Sequence, residues 1–193
     1  GAPVCAPARY TLLTGIHTGH AVVRGNGAPP MPAQPVTLGK LFLDAGYATG
    51  CFGKWGLGPY GTEGSPSSHG FQEFVGFLSQ TAAHNQYPES LFRNENIWDL
   101  PEGTYANDVF TSEALDFVKR NAEKPFFMYL PYTIPHQKLV VPSQGDYAAE
   151  DWPENEKNKA AMITRMDADV GRLIKQLADL GMNDNTLIMF TSD

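Results

Sequence analysis

The segment Tyr47–Phe52, YATGCF, has the length and the β-favouring ends of a strand buried inside a protein. It leads directly into Gly53–Gly58, GKWGLG, which sets Lys54 among three glycines. Ligands of open parallel sheets bind where the strands end, and glycine lets the backbone approach a ligand closely. The segment therefore predicts a strand that carries Lys54, a point charge for an anion, to a binding edge. The alternative is an exposed lysine in a turn.

Apolar runs alternate with helical patterns on both sides of this strand. Such alternation indicates an α/β fold, with a mostly parallel sheet and helices on both faces. Thr81–Thr104 is predicted to be irregular, and Asp167 and Asp169 are predicted to be solvated or capping carboxylates. The predicted strands lie near residues 47, 74, 126 and 187, and the predicted helices are Pro7–Thr14, Val36–Leu43, Asp108–Asn121 and a long helix from Glu154.

The continuous apolar run Phe126–Leu130 predicts a second strand buried on both faces. Its exit presents His136 at the same kind of position as Lys54, although a lone histidine after a strand is usually structural. A third apolar run, Thr186–Phe190, predicts a strand that ends at Asp193. Polar groups are thus expected at the carboxyl ends of several strands.

The segment Val4–Gly15, VCAPARYTLLTG, combines a cysteine, a proline, an arginine and an apolar run. Pro7 suits the first turn of a helix, where its missing N–H needs no partner. A helix from Pro7 would place Cys5 at the positive helix end, with Arg9 beside it. An anion at Cys5 would then meet free N–H groups, the helix dipole and a guanidinium. The alternative is a buried free cysteine near a helix cap.

Composition restricts the class of function. The chain is 42% hydrophobic and 18% charged, as in globular domains, and its net charge of -7 argues against a nucleic-acid partner. A few local cations can still bind an anionic substrate. The chain contains no run of about 18 apolar residues, so no membrane span is predicted. Cys5 and Cys51 are the only cysteines, which leaves at most one bridge and argues against a disulfide framework.

Five segments, in order, resemble signature elements of the type I sulfatases, a family of the alkaline phosphatase superfamily. They cover nearly the whole chain, and together they are far more specific than any one of them. Two positions depart from the family pattern: Ala8 replaces the commoner serine, and Gly56 stands where many members have a histidine that contacts the aldehyde hydrate. The five segments are Cys5–Gly15, Gly46–Lys54, His69–Phe74, Phe126–His136 and Leu187–Asp193.

The resemblance implies an alkaline phosphatase-like fold and a set of site residues. By resemblance, Cys5 is oxidised to formylglycine, whose hydrate attacks sulfur, and Arg9 orients and stabilises that hydrate. Lys54 and His136 would neutralise sulfate oxygens or assist the leaving alcohol. A divalent cation, Ca²⁺, would be held by oxygen ligands that include Asp193 and the nucleophile made from Cys5.

The resemblance also implies the organisation of the chain. Residues 1–193 are expected to be part of a single sulfatase catalytic domain, truncated at both ends. Paired aspartates of a first strand would precede Gly1, and an asparagine would follow Asp193. The 193 residues alone are expected to be inactive and to hold Ca²⁺ weakly, since Asp193 is their only family-matched carboxylate and such a site wants about six to eight oxygens.

The function implied is that of a sulfuric ester hydrolase acting on a sulfated small molecule or glycan. A formylglycine-generating maturation enzyme would be a partner, and the family location would be periplasmic or secreted. One alternative is a phosphonate or phosphodiester hydrolase of the same superfamily, some of which share the formylglycine signature. Another is an inactive relative that binds sulfated glycans. The joint presence of Cys5, Arg9, Lys54 and His136 argues against the inactive relative, whereas Gly56 leaves room for it.

Overall fold

A computed structural model describes residues 2–192 of the chain. Its strands are β1 (Ala48–Lys54), β2 (Glu73–Phe77), β3 (Ser90–Arg93), β4 (Asn96–Asp99) and β5 (Phe126–Tyr129). They form one sheet in the order β4-β3-β2-β1-β5. Strand β1 pairs in parallel with β2 and with β5, whereas β3 pairs antiparallel with β2 and with β4. The predicted strand at Tyr47–Phe52 is confirmed, and it lies inside the parallel part of the sheet.

Helices cover this sheet. The α-helices of the described residues are α1 (Cys5–Thr14), α2 (Leu38–Asp44), α3 (Ala106–Arg120) and α4 (Glu154–Asp179). Short 3-10 turns occur at Ser67–His69, Ala82–His84, Gly145–Ala149 and Asn183–Asn185. Each α-helix matches a predicted one, with ends that differ by a few residues. None of the helices in residues 2–192 combines the length and the apolar composition that crossing a membrane requires.

Two apolar clusters lie on opposite faces of the sheet. Neighbouring residues of a strand point to opposite faces, so Cys51 and Phe52 of β1 belong to different clusters. Buried members of the first cluster include Tyr10, Leu13, Cys51, Trp55, Phe71 and Phe74. Buried members of the second include Phe52, Val75, Phe110, Ala114, Phe117 and Leu173. Side chains of α1 thus cover one face and those of α3 the other, which confirms the α/β fold with helices on both faces.

The prediction that Thr81–Thr104 is irregular is wrong for its second half. Strands β3 and β4 form a hairpin there, with Arg93 opposite Asn96 across a two-residue turn. Asn94 opens that turn with a φ of 50°, a left-handed conformation that asparagine tolerates. Its side-chain Oδ1 also accepts a hydrogen bond from the Phe74 N–H over 2.8 Å. The hairpin therefore extends the parallel strands with antiparallel ones.

Two strand predictions need correction. Phe126–Leu130 was expected to be buried on both faces, but β5 is only half-buried. It lies at one end of the sheet, where no described strand pairs with its other edge. The predicted strand Thr186–Phe190 forms no ladder with the described strands, and Leu187 and Met189 are 85% and 80% exposed. An apolar run becomes a strand only where a neighbour supplies hydrogen bonds.

The prediction that Asp169 is a solvated or capping carboxylate is also wrong. Asp169 is 3% exposed, and its Oδ2 accepts hydrogen bonds from Asn107 Nδ2 over 2.7 Å and Thr111 Oγ1 over 2.9 Å. Its Oδ1 accepts another from Arg172 over 2.6 Å. Asp169 is buried because α4 packs against α3, whose polar side chains at 107 and 111 meet it. Asp167 is exposed, as predicted.

Candidate active site

Helix α1 places Cys5 at its amino end. The helix begins at Cys5 itself, after Val4 in an extended conformation. The Ala6 N–H donates to Asn26 Oδ1 over 2.9 Å, so the loop that follows α1 folds back over its start. Cys5 is half-buried, and both cysteines of the chain are free thiols. A partly accessible side chain therefore sits where the helix dipole is positive.

Arg9 lies one helical turn after Cys5, on the same side of α1. Its side chain is 5% exposed, and its Nη1 donates a hydrogen bond to the backbone oxygen of Lys54 over 2.5 Å. A buried guanidinium normally requires such partners. The contact fixes the start of α1 against the carboxyl end of β1, and it brings the segments of Cys5 and Lys54 together.

Lys54 is the last residue of β1 and is 3% exposed. Its N–H donates to the backbone oxygen of Pro131, over 2.9 Å, in the segment that leaves β5. The burial of Lys54 excludes the alternative of an exposed lysine in a turn. Lys54 instead lies buried at the edge where the parallel strands β1 and β5 end.

His136 lies in the segment that leaves β5. The segment is anchored by Ile134, which is buried with Tyr105 and Met162. His136 itself is exposed, and its Nδ1 lies 2.9 Å from the backbone oxygen of Gln137. A carbonyl oxygen can only accept, so Nδ1 donates and Nε2 faces away from this bond. His136 is thus held by its own loop at the same end of the sheet as Lys54.

His84 is a neighbour of this group that the sequence patterns did not single out. It ends the 3-10 turn Ala82–His84, and its ring stacks on that of His136 with centroids 4.6 Å apart and planes 14° apart. Burial lowers the pKa of His84, and the positive charges of Lys54, His136 and Lys138 lower it further. Its position after β2 could have pointed to it, because the segments that follow parallel strands meet at one edge of the sheet.

The local backbone explains why a glycine stands at position 56. Its φ is 71°, which side chains rarely adopt, and Gln80 Nε2 donates to its backbone oxygen over 2.9 Å. A Cβ at position 56 would collide with the Gln80 side chain. A cleft of about 280 Å³ lies beside it, and its lining includes Ala6, Asn26, Gly56, Gln80 and Thr81. The cleft joins the start of α1 to the loop after Lys54.

The second cysteine, Cys51, is expected to be unreactive in the folded protein. Cys51 is fully buried in β1, and burial raises the pKa of its thiol, an effect that the nearby charge of Arg9 only partly opposes. A thiol without thiolate character is a poor nucleophile and a poor metal ligand. Of the two cysteines, only Cys5 can meet a substrate.

The residues described do not form the predicted calcium site. In residues 2–192, no three His, Cys, Asp or Glu side chains lie close enough together to hold a metal ion. Cys5 and Asp193 were the predicted ligands, and Asp193 lies outside the described residues. Ca²⁺ prefers about six to eight oxygen donors, so the described residues do not supply a full set of ligands for the ion.

Comparisons with known proteins agree on a family. A family model described as Sulfatase matches residues 1–193. The chain is 27% identical over 208 residues to Arylsulfatase J of Mus musculus. That alignment covers 99% of this chain and 35% of the mouse protein. It is 28% identical over 222 residues to N-acetylgalactosamine-6-sulfatase of Homo sapiens, in an alignment that covers 99% of this chain and 41% of the human protein. The chain therefore spans well under half the length of these relatives.

Solved structures share the fold. Ps i-CgsB superposes with a TM-score of 0.80 at 28% identity, covering 96% of this chain and 47% of that one. The phosphonate monoester hydrolase of Agrobacterium radiobacter superposes with a TM-score of 0.62 at 17% identity, a likeness of fold alone. Since the family model spans all 193 residues and the fold agrees, the chain belongs to the sulfatase family.

Proposed function

We propose that the protein hydrolyses sulfate esters, with a formylglycine made from Cys5 as its nucleophile. The observation that carries the proposal is the contact between Arg9 and the Lys54 backbone, which joins the start of α1 to the end of β1. Membership of the sulfatase family and the arylsulfatases among its relatives support the same reaction. Roles for single residues follow from their positions.

The position of Cys5 suits the modified residue. Its half-buried place at the amino end of α1 offers a positive helix end, and Arg9 adds a fixed charge one turn away. Formylglycine, once formed, supplies a hydrate oxygen that attacks sulfur and a second hydroxyl that lets sulfate leave as the aldehyde re-forms. Arg9 orients the hydrate and balances the negative charge that develops there.

Lys54 and His136 would act on the substrate itself. Lys54 is 3% exposed, so its charge would neutralise sulfate oxygens in surroundings that largely exclude water. His136 is exposed, and its Nδ1 already donates to Gln137, which leaves Nε2 to face the leaving alcohol or a sulfate oxygen. A buried cation would thus meet sulfate oxygens, and an imidazole would meet the leaving alcohol or another sulfate oxygen.

The family also implies a divalent cation, predicted to be Ca²⁺. The described residues supply no donor set for it, so the roles above are those of Arg9, Lys54 and His136 alone. Asp193 stays the predicted carboxylate ligand, with the nucleophile made from Cys5 as the second predicted ligand.

The substrate we propose is a sulfated sugar or small molecule. N-acetylgalactosamine-6-sulfatase of Homo sapiens is 28% identical to the chain, and Ps i-CgsB, 27% identical, has been solved in complex with k-i-k-neocarrahexaose. Both names refer to carbohydrates, which favours a glycan. A maturation enzyme that oxidises Cys5 is the proposed partner, and a periplasmic or secreted location is proposed with it.

The test compares two ester classes. The whole protein, produced with a maturation enzyme, should turn over an aryl sulfate faster than the matching aryl phosphonate ester. Arg9→Ala serves as the control for contaminating activity. Faster turnover of the phosphonate would move the protein to the phosphonate hydrolases, whose fold it shares. Absence of turnover of either ester would favour an inactive, glycan-binding relative.

A further inference from the structure

Three parallel strands end at one edge of the sheet, and each is followed by a basic side chain. Lys54 ends β1, His136 follows β5, and His84 follows β2. The sulfatase signature elements account for Lys54 and His136 but not for His84. We call His84 and His136 the histidine pair, because their rings stack with centroids 4.6 Å apart and planes 14° apart.

The backbone around the histidine pair is fixed on both sides. Thr133 Oγ1, in the segment of His136, donates to Gln86 Oε1 over 3.2 Å, in the segment of His84. Both side chains of this bond are buried. The Gln86 backbone oxygen also accepts from the Ala106 N–H at the start of α3, over 2.9 Å. The stack is therefore built into the fold and is not a chance contact of two surface rings.

The charged groups that shift the pKa of His84 are all positive. Lys54 of β1 and His136 and Lys138 of the loop after β5 are the charged groups that shift its pKa, and each lowers it, in addition to burial. Two stacked imidazolium rings would repel each other, so the charge of His136 contributes to the lowered pKa of His84. An anion between these groups would remove that penalty, since it would attract every one of them.

We propose that His84 is a further substrate-binding residue, whose imidazole donates a hydrogen bond to the sulfate group held by Lys54 and His136. This inference rests on the proposed sulfate ester hydrolysis for its substrate. Half-burial limits the directions open to the ring, and the stack on His136 covers one of its faces. The ring edge, which carries the N–H, is then the part that meets the ligand.

Three variants of His84 separate binding from packing. His84→Ala removes the ring and the donor, His84→Phe keeps a ring that can stack, and His84→Gln keeps a donor without a ring. In the whole protein, we expect His84→Ala and His84→Phe each to raise the KM for an aryl sulfate about tenfold. The inhibition constant of inorganic sulfate should rise by about the same factor. His84→Gln, which keeps a donor, should lose less affinity for the aryl sulfate and for inorganic sulfate. His20→Ala, in the exposed loop after α1, should stay within about twofold of wild type.

A wild-type KM and inhibition constant in His84→Phe would overturn the inference, because packing alone would then explain the ring. A second measurement needs no turnover. Inorganic sulfate added to the whole protein with labelled histidines should shift the ring resonances of both His84 and His136. Sulfate that moves His136 and leaves His84 unchanged would also overturn the inference. If sulfate shifts His84 while no sulfate ester is turned over, the proposed function fails and the binding role stands.

Discussion

Arg9 and Lys54 are joined by a hydrogen bond of 2.5 Å, from the guanidinium Nη1 of Arg9 to the backbone oxygen of Lys54. The bond connects the first helix to the end of a strand inside the parallel part of the sheet. Arg9 is buried, so the guanidinium that we propose to act in the site also holds the start of α1 against the end of β1. Substitution of Arg9 should therefore affect both catalysis and folding.

Arg9→Lys should reduce kcat/KM for an aryl sulfate about 100-fold or more. A lysine keeps the charge, but its single ammonium cannot replace a planar fork that bonds to the Lys54 oxygen and that we propose to orient the hydrate as well. Steady-state kinetics of the whole protein give the measurement. Arg24→Lys is the matched control, because Arg24 is exposed and its hydrogen bonds within residues 2–192 go to the nearby loop carbonyls of Ala21 and Gly19. Equal losses in both variants would refute a special role for Arg9.

Asp169→Ala should lower the free energy of unfolding by about 2–3 kcal/mol, because Asn107 and Thr111 lose their buried acceptor. The ion pair to Arg172 adds little, since the Arg172 side chain is 54% exposed. Urea unfolding of the two proteins measures the difference. Asp167→Ala, at an exposed position of the same helix, should change it by no more than about 0.5 kcal/mol. Equal midpoints for the Asp169 variant and wild type would contradict the buried network.

Gly56→Ala should destabilise the protein more than Gly61→Ala. The two glycines have similar φ angles, 71° and 81°, so both variants incur about 1–2 kcal/mol of backbone strain. A Cβ at 61 meets open space, whereas one at 56 meets the flexible end of Gln80, which must swing away and give up its hydrogen bond to the Gly56 oxygen, at a cost of about 0.5–1.5 kcal/mol more. Thermal or urea unfolding reports the difference. Adding Gln80→Ala should remove it, and persistence of the difference would show that Gln80 is not the obstacle.

Limited alkylation of the unmodified protein should label Cys5 and spare Cys51. Burial raises the pKa of the Cys51 thiol, so this group stays neutral and shielded across the ordinary pH range, whereas Cys5 is half-buried. Peptide mass spectrometry after brief iodoacetamide treatment at pH 8 distinguishes the two sites. Denaturant should expose Cys51 to the reagent. Rapid labelling of Cys51 in the folded protein would mean that the core around β1 opens easily.

Periodicity and apolar runs predicted the parallel strands and the α-helices because those elements bury a face or a stripe. The same reasoning failed where a neighbour decides the outcome. Thr186–Phe190 has the composition of a strand, yet no described strand pairs with it. Asp169 has the composition of a solvated helix position, yet α3 brings Asn107 and Thr111 onto it. Tertiary contacts of this kind leave no periodic trace in a single chain.

The residues of the candidate site also fall into those that the sequence predicted and one that it did not. Cys5, Arg9, Lys54 and His136 were predicted from the segments around them and from the family resemblance, and their roles stay predictions. His84 was missed because its segment carries no apolar pattern, and only the fold brings its ring onto His136. The hairpin was missed for a smaller reason: a turn that opens with Asn94 gives a weaker signal than Asn-Gly or Asp-Gly.

The central claim is that the Cys5 side chain becomes the nucleophile of a sulfatase. The most direct measurement compares aryl sulfate turnover by the whole wild-type protein and by Cys5→Ala, both produced with a maturation enzyme, with the mass of the peptide containing residue 5 read from the same samples. We expect an aldehyde at position 5 in the active wild type, and turnover at background level in the variant. Full sulfatase activity with only a thiol at Cys5, or undiminished turnover in Cys5→Ala, would contradict the claim.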